Sequence, residues 1–321
     1  MYYPFLRARQ FELISLRELA IEGVTQGCII PILEPVKIVF NNLDIAYKIF
    51  EQKEQTVYFV VNPTVGELIG DNNHYLDYLN GLNNSVFLPA FHYRNNYNSN
   101  SNYKSNSEFI TQSIEKYGLN QCMLICKNDI LENDQEFKIL AELPQVTVIN
   151  IEDPTRNRSL HRYVQGLGKT YIRLDDLFEK QSRNSDFLNI EEHRFSEEHI
   201  YYSQENFNGF SDYTVLPSEY TDGGSTPRAV VIHLTYLNQQ NQIMIRHFTS
   251  ESNDSIANIQ GKFAEAAQKA VNYCRMNNLS NSAIIELENY FDEQHYPGLG
   301  TVKKISIKNH LSILSNYLRH L

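Results

Sequence analysis

Eight short apolar runs alternating with segments of helical periodicity, and polar residues after almost every run, predict an α/β fold: a TIM-like (β/α)8 barrel with an added C-terminal β-hairpin and helices. Alternation of this kind is the sequence form of a parallel sheet wrapped by helices. The runs are rich in β-branched and aromatic residues. Strands are expected at Tyr3 to Leu6, Cys28 to Leu33, Thr56 to Val61, Val86 to Phe91, Cys122 to Cys126, Val146 to Ile151, Thr170 to Leu174 and Phe210 to Leu216. Helices are expected at Gln10 to Ala20, Asn41 to Glu51, Tyr75 to Leu79, Ser107 to Tyr117, Gln135 to Leu143 and Arg156 to Gln165. The long, charged connection from Phe178 to Asn208 reads as an irregular helix.

The residues after the strands are Arg7, Glu34, Asn62, His92, Lys127, Glu152 with Asp153, and Asp175 with Asp176. Barrel sites are built at strand C-terminal ends. Exposed loops are polar in any case, so the repetition carries more weight than any one position. NNYNSNSNYKSNS, 95 to 107, is too polar to bury itself and is expected to be a loop at the mouth: a lid, a partner-ordered segment or a tolerated insertion.

Past the eighth strand, Ala229 to Tyr236 and Gln242 to Thr249 read as a hairpin across Asn238 to Asn241. A two- or four-residue loop sets His233 opposite Arg246 and Ile232 opposite His247, whereas a three-residue loop reverses the faces. A helix is expected from Asp254, as its cap, to Met276, with Ile256, Ile259, Phe263, Ala267, Ala270 and Cys274 on one face. Further helices are expected at Ala283 to Phe291 and Ile307 to Leu318. The barrel is assigned to 1–228, and the hairpin and helices, packed on it as one structural unit, to 229–321.

A chain of 321 residues that is 42% hydrophobic can bury a large core. Its net charge of -10 argues against wrapping nucleic acid, so any such contact is expected to be local or to come through a partner. The N-terminus lacks a basic segment leading into an apolar core, and no run is long enough to span a bilayer; a cytoplasmic protein without a membrane contact is expected. The four cysteines, Cys28, Cys122, Cys126 and Cys274, lack ligand spacing and read as buried thiols.

Asp212 lies inside the apolar strand FSDYTVL, so its carboxylate must sit at the barrel mouth or meet a donor. With Glu34, Glu152, Asp153 and Asp175 it could form a carboxylate cluster for a divalent cation. Arg7, Arg9, Lys37, Arg94, Lys127 and Arg173 fall on the same side, and structural ion pairs between the two sets are the plainer account. Asp212, His247 and Arg173 are the catalytic candidates; His92, His233 and Arg246 join the charged residues as ligand-binding candidates. Gly223-Gly224-Ser225-Thr226 and PGLGTVKK could meet a phosphate or be turns, and EDPTRN could be a site loop or an acidic helix start.

The opening YPFLRARQFELISLREL, the strand IIPILEPVK, GFSDYTVL, the AVVIHLTY to IRHFTS hairpin with SNDSI, and YPGLGTVKK together resemble a bacterial family related to the beta family of phage and bacterial proteins. The resemblance spans nearly the whole chain, the Asn-rich loop departing from it. It implies a TIM barrel, encoded beside a small restriction-endonuclease-like protein in regions associated with phage defence. The expected function is therefore a barrel-type accessory or binding module of an antiphage-type system, working with a nuclease-like partner and binding an anionic ligand at the mouth. The alternative is a metal-dependent hydrolase acting on a phosphate ester or nucleotide.

Overall fold

The computed structural model describes residues 1–82, 86–95, 105–131, 133–223 and 226–320. Eight parallel strands form one sheet: β1 (Phe5–Leu6), β2 (Ile32–Leu33), β3 (Val57–Val60), β4 (Phe87–His92), β5 (Cys122–Cys126), β6 (Val146–Glu152), β7 (Thr170–Asp175) and, after the separate strand β8 (Glu192–Ser196), β9 (Gly209–Asp212). Its two edges meet. Tyr2 bridges Phe210 in parallel, Tyr3 N donates to Phe210 O at 2.8 Å and Phe210 N to Met1 O at 3.2 Å, which closes the sheet into a TIM-like barrel.

The helices α1 (Gln10–Ile21), α2 (Asn41–Gln52), α3 (His74–Gly81), α4 (Ser107–Lys116), α5 (Gln135–Glu142) and α6 (Arg158–Gly166) alternate with these strands along the chain. Side-chain caps set two of their starts. Asp134 accepts from Phe137 N to begin α5, and Asn157 accepts from Leu160 N to begin α6, leaving Arg156 in a preceding 3-10 turn.

Several expected strand ends move for identifiable reasons. β1 and β2 are shorter than Tyr3 to Leu6 and Cys28 to Leu33 because Pro4 and Pro31 accept ladder hydrogen bonds, from Ile32 N and Tyr58 N at 2.8 Å, but have no N–H to donate. β9 stops at Asp212 rather than Leu216, since Thr214 turns to φ 57. The segments 96–104 and 224–225, and with them most of the Asn-rich loop and half of the Gly-Gly-Ser-Thr candidate, lie outside the described residues.

The contacts divide the chain into two compact units that do not follow the boundary expected at 228. The first comprises 1–9, 29–176 and 201–212, and holds the whole barrel sheet; the second comprises 10–28, 177–200 and 213–321. The second thus recruits α1 and the 177–200 segment.

In the second unit, β10 (Val231–Leu237) and β11 (Ile243–Thr249) form the expected hairpin, and β8 pairs antiparallel with β11. The connection expected to be an irregular helix therefore carries a strand, flanked by a 3-10 turn at 184–189 and a short helix α7 (Glu198–Tyr201). The hairpin register differs by one residue from the two- or four-residue expectation: His233 faces His247 and Leu234 faces Arg246. Asn238 N bonds Gln242 O and Asn241 N bonds Asn238 O, both at 3.0 Å, and Asn241 takes φ 59, the geometry of a three-residue loop ending in a left-handed residue. The one-residue slip exchanges faces. Ile232, Leu234 and Phe248 go to the helices, while His233, Thr235, Ile245 and His247 share the other side.

Three helices complete this unit: α8 (Ile259–Met276), α9 (Ser282–Asp292) and α10 (Leu299–Arg319). Their core joins Ile232, Leu234 and Phe248 to Phe263, Ala267, Val271, Ile284, Leu287 and Ile305. Asn258, not Asp254, caps α8 by accepting from Gly261 N at 3.1 Å, so Ile256 lies before the helix and is exposed. α10 starts at Leu299 rather than Ile307, directly after Pro297 and Gly298, whose φ of 92 turns the chain. Among the described residues, no helix is long and apolar enough to cross a membrane.

Candidate functional site

Which strand residues look into the barrel follows from the register. Phe59 packs its ring on Tyr75 and Tyr78 of α3, so it points to the helices and its neighbours Tyr58 and Val60 point inward. Ile32 pairs with Tyr58, and Val60 with Ala90, which carries Glu34 and His92 to the interior face. His92 pairs with Ile125 and Ile125 with Asn150, so Asn150 and Glu152 share that face.

The polar centre of this face is Glu34, whose side chain is fully buried. Arg7, after β1, pairs with its Oε2. Its Oε1 accepts from Thr64 N at 2.6 Å and Thr64 Oγ1 at 2.9 Å, and lies 3.1 Å from His92 Nε2. Asn62 and Asn106 brace His92 from behind: Asn62 Oδ1 accepts from His92 N at 2.8 Å, and both amides donate to His92 O at 2.9 and 2.8 Å. Asp71 accepts from both asparagines and pairs with Arg94. Burial pushes His92 down to about 3, and the cations Arg7, Arg94 and Lys127 push in the same direction against Glu152. His92 is thus held as a neutral imidazole, by burial first.

Asp212 lies elsewhere. Tyr171 packs at a tilt against His161 of α6 and Phe207, and Arg173, two residues on, lies over the Phe207 ring, so this side of β7 faces outward. Asp175 belongs to the same side and pairs in register with Asp212. Arg173 Nε donates to Asp175 Oδ2 at 2.7 Å and Nη1 to Glu205 at 2.8 Å; Tyr2 OH donates to Asp212 Oδ1 at 2.5 Å. Burial raises Asp175, outweighing the Arg173 hydrogen bond, and the charges of Asp212 and Asp153 add to the rise. The cluster expected from strand ends is therefore split between two faces of the sheet.

The remaining candidates disperse. Arg9 is half-buried after β1, and exposed Lys37 pairs with Glu67 at 2.8 Å. Asp153 takes φ 44, and its N–H donates to Leu174 O. His233, Arg246 and His247 belong to the second unit, where Arg246 pairs with Glu191 and Glu192, and His233 Nδ1 lies 2.7 Å from His247 Nδ1. The lysines of PGLGTVKK are held by Glu12, Glu18 and Glu286. All four cysteines are free and buried.

Among the described residues, no group of three His, Cys, Asp or Glu side chains is placed to hold a metal ion. Glu34, the best-placed carboxylate, already has Arg7, Thr64 and His92 on its oxygens, so the set does not fit a hard cation that needs several free oxygen ligands.

Thr64, Asp71, Asn106 and Tyr2 were not legible as site residues. Each stands in an ordinary loop or strand context, and only the register brings it to a charged partner. Comparison with protein-family profiles, curated proteins and solved structures gave no match.

Proposed function

We propose that this chain is a barrel-type binding module whose mouth receives a small anionic ligand, and that it works with a nuclease-like partner in a bacterial antiphage-type system, as the family resemblance implies. The observation that supports the ligand is the cation Lys127 beside His92, since Arg7 and Arg94 are already matched by Glu34 and Asp71. Arg7, Arg94 and Lys127 all act on this ring, and the Lys127 side chain is exposed. Arg7 is already oriented by Glu34, and a preorganised guanidinium with a lysine nearby suits a phosphate or carboxylate oxygen. The reading is therefore one of binding.

Titration of the full chain with inorganic phosphate and with a nucleoside monophosphate, followed by the ring-nitrogen resonances of His92, tests the ligand. A saturable shift that is lost in Lys127→Gln is expected, and an unmoved His92 would overturn the site. For the partner, co-expression with the neighbouring nuclease-like gene product should yield a complex on size exclusion; separate elution of two folded proteins would remove that part of the reading.

A further inference from the structure

In the second unit, three imidazoles stand in a row. His233 on β10 and His247 on β11 face each other in register, with Nδ1 to Nδ1 at 2.7 Å. The other nitrogen of His247, Nε2, lies 3.2 Å from His193 Nε2 on β8, and His193 Nδ1 lies 3.1 Å from the Arg194 carbonyl oxygen. Because the middle ring uses its two nitrogens in opposite directions, the rings form a chain and do not converge on a point as metal ligands would. Phe187 from the 3-10 turn packs on His247 at 4.5 Å and on His233 at 4.8 Å, and Phe178 stands edge-on to His233 at 5.1 Å.

We propose that this chain of rings is an acid-release latch, which fastens the strap 177–196 to the hairpin while the rings are neutral and lets it go when a second extra proton arrives. One proton arrangement satisfies the neutral chain. His233 Nδ1–H donates to His247 Nδ1, His247 Nε2–H donates to His193 Nε2, and His193 Nδ1–H donates to the Arg194 carbonyl. Each of the two facing pairs of nitrogens keeps its hydrogen bond only with a single proton between them. The two outer nitrogens can carry one proton each, so the intact chain holds at most four protons, one more than three neutral imidazoles bring. A second extra proton necessarily sets two N–H groups against each other.

The surroundings offer little to offset that charge. Among the described residues, the carboxylate paired with these rings is Glu179, with Oε1 3.7 Å from His193 Nδ1. Glu191 and Glu192 are taken by Arg246, which points to the other face of β11; Asp186 of the 3-10 turn is tied to Arg183 N, and Lys180 pairs with Glu219. On this face the neighbours of the histidines on β10 and β11 are Val231, Thr235, Ile245 and Thr249, all uncharged, and the next titratable group is His310 of α10, whose Nδ1 lies 3.2 Å from Thr235 Oγ1. Burial accordingly pushes His233 down to about 3, and burial with the two neighbouring rings pushes His247 to about 2. With the strap released, His233 and His247 would titrate near their ordinary value, so acid favours release.

The test is a ring-nitrogen titration of the full chain from neutral to mildly acidic pH, run beside limited proteolysis of the strap normalised to an unstructured peptide at each pH. The expected result is that His233 and His247 stay neutral well below the ordinary histidine range and then take up protons together. Strap cleavage should then rise about a hundredfold per pH unit, the slope of a two-proton step. His247→Phe keeps a ring in the core and removes the relay, and should reduce the slope to about tenfold per pH unit, because buried His233 still takes up one proton on release. Independent one-proton titrations near the ordinary value, cleavage that stays flat in the wild type, or an unchanged step in His247→Phe would each overturn the latch. Should His247→Phe fail to fold, the wild-type titration slope alone decides between the outcomes.

Discussion

The phenol of Tyr2 donates to Oδ1 of Asp212 at 2.5 Å across the seam where the first and last barrel strands meet, with both residues buried. The contact locks the strand end that the sequence offers as a site. Tyr2→Phe removes a hydrogen bond to a charged acceptor and should lower unfolding stability by about 1.5–3 kcal/mol in urea titrations. Asp212→Asn should also destabilise, and magnesium should raise the melting temperature of neither the wild type nor the variant. Magnesium stabilisation that Asp212→Asn abolishes would return this residue to a cation site.

Glu34 carries a different load. Its buried carboxylate holds Arg7, Thr64 and His92 at once, so Glu34→Gln strands the Arg7 guanidinium beside a neutral amide. Breaking a buried pair from one side costs about 3–5 kcal/mol. Equilibrium unfolding should show a loss of that order, and a loss below about 1 kcal/mol would mean that the pair behaves as an exposed one.

His92 gives the mouth a pH signature. Its folded value lies near 3, below the ordinary histidine value of 6.5, through burial first and then Arg7, Arg94 and Lys127. A group depressed in this way contributes stability that is present above 6.5 and lost progressively as pH falls from 6.5 towards 3. The ring should therefore remain neutral at pH values where exposed histidines are charged, and Lys127→Gln should raise its midpoint. Nuclear magnetic resonance of the ring nitrogens measures both; an unshifted midpoint in Lys127→Gln would remove that lysine from the field.

The barrel was legible because strand runs and helical periodicity are local properties, and they place all eight barrel strands. The site was less so. Asp212 stands out in FSDYTVL as a charge among apolar residues, but whether such a residue faces the lumen or the helices depends on register, and here Tyr2 and Phe210 turn it outward. The same one-residue sensitivity moved His233 from Arg246 to His247 in the hairpin, where the left-handed Asn241 sets the loop length. His193 was hidden inside a charged connection, since the strand it occupies gains its meaning only by pairing with β11.

The lysines of PGLGTVKK and the helix after it illustrate how a suspected ligand motif becomes structure. Gly300 sits where a Cβ would fall on the Phe11 ring, so α10 approaches α1 closely, and along that contact Lys304 Nζ reaches Glu18 at 2.9 Å and Glu286 at 2.7 Å. Lys308 reaches Glu18 at 2.9 Å and Glu22 at 2.7 Å. Burial alone would raise Glu18, but hydrogen bonds from Lys304 and Lys308 outweigh it and hold the carboxyl below its ordinary value. Its contribution is present above pH 4.5 and fades as acid brings the pH down through the lowered value. The two lysines are raised, burial being outweighed by the same carboxylates, so their contribution persists up to about 10.5 and is lost above it. The carboxylates are about a third exposed or less, which places the network between surface and buried pairs. Lys308→Met should cost about 1–3 kcal/mol near neutral pH, with little change below the titration of Glu18 because that partner is then protonated. Urea unfolding at several pH values measures this, and a cost that stays constant into acid would assign the effect to lost packing of the lysine stem rather than to charge.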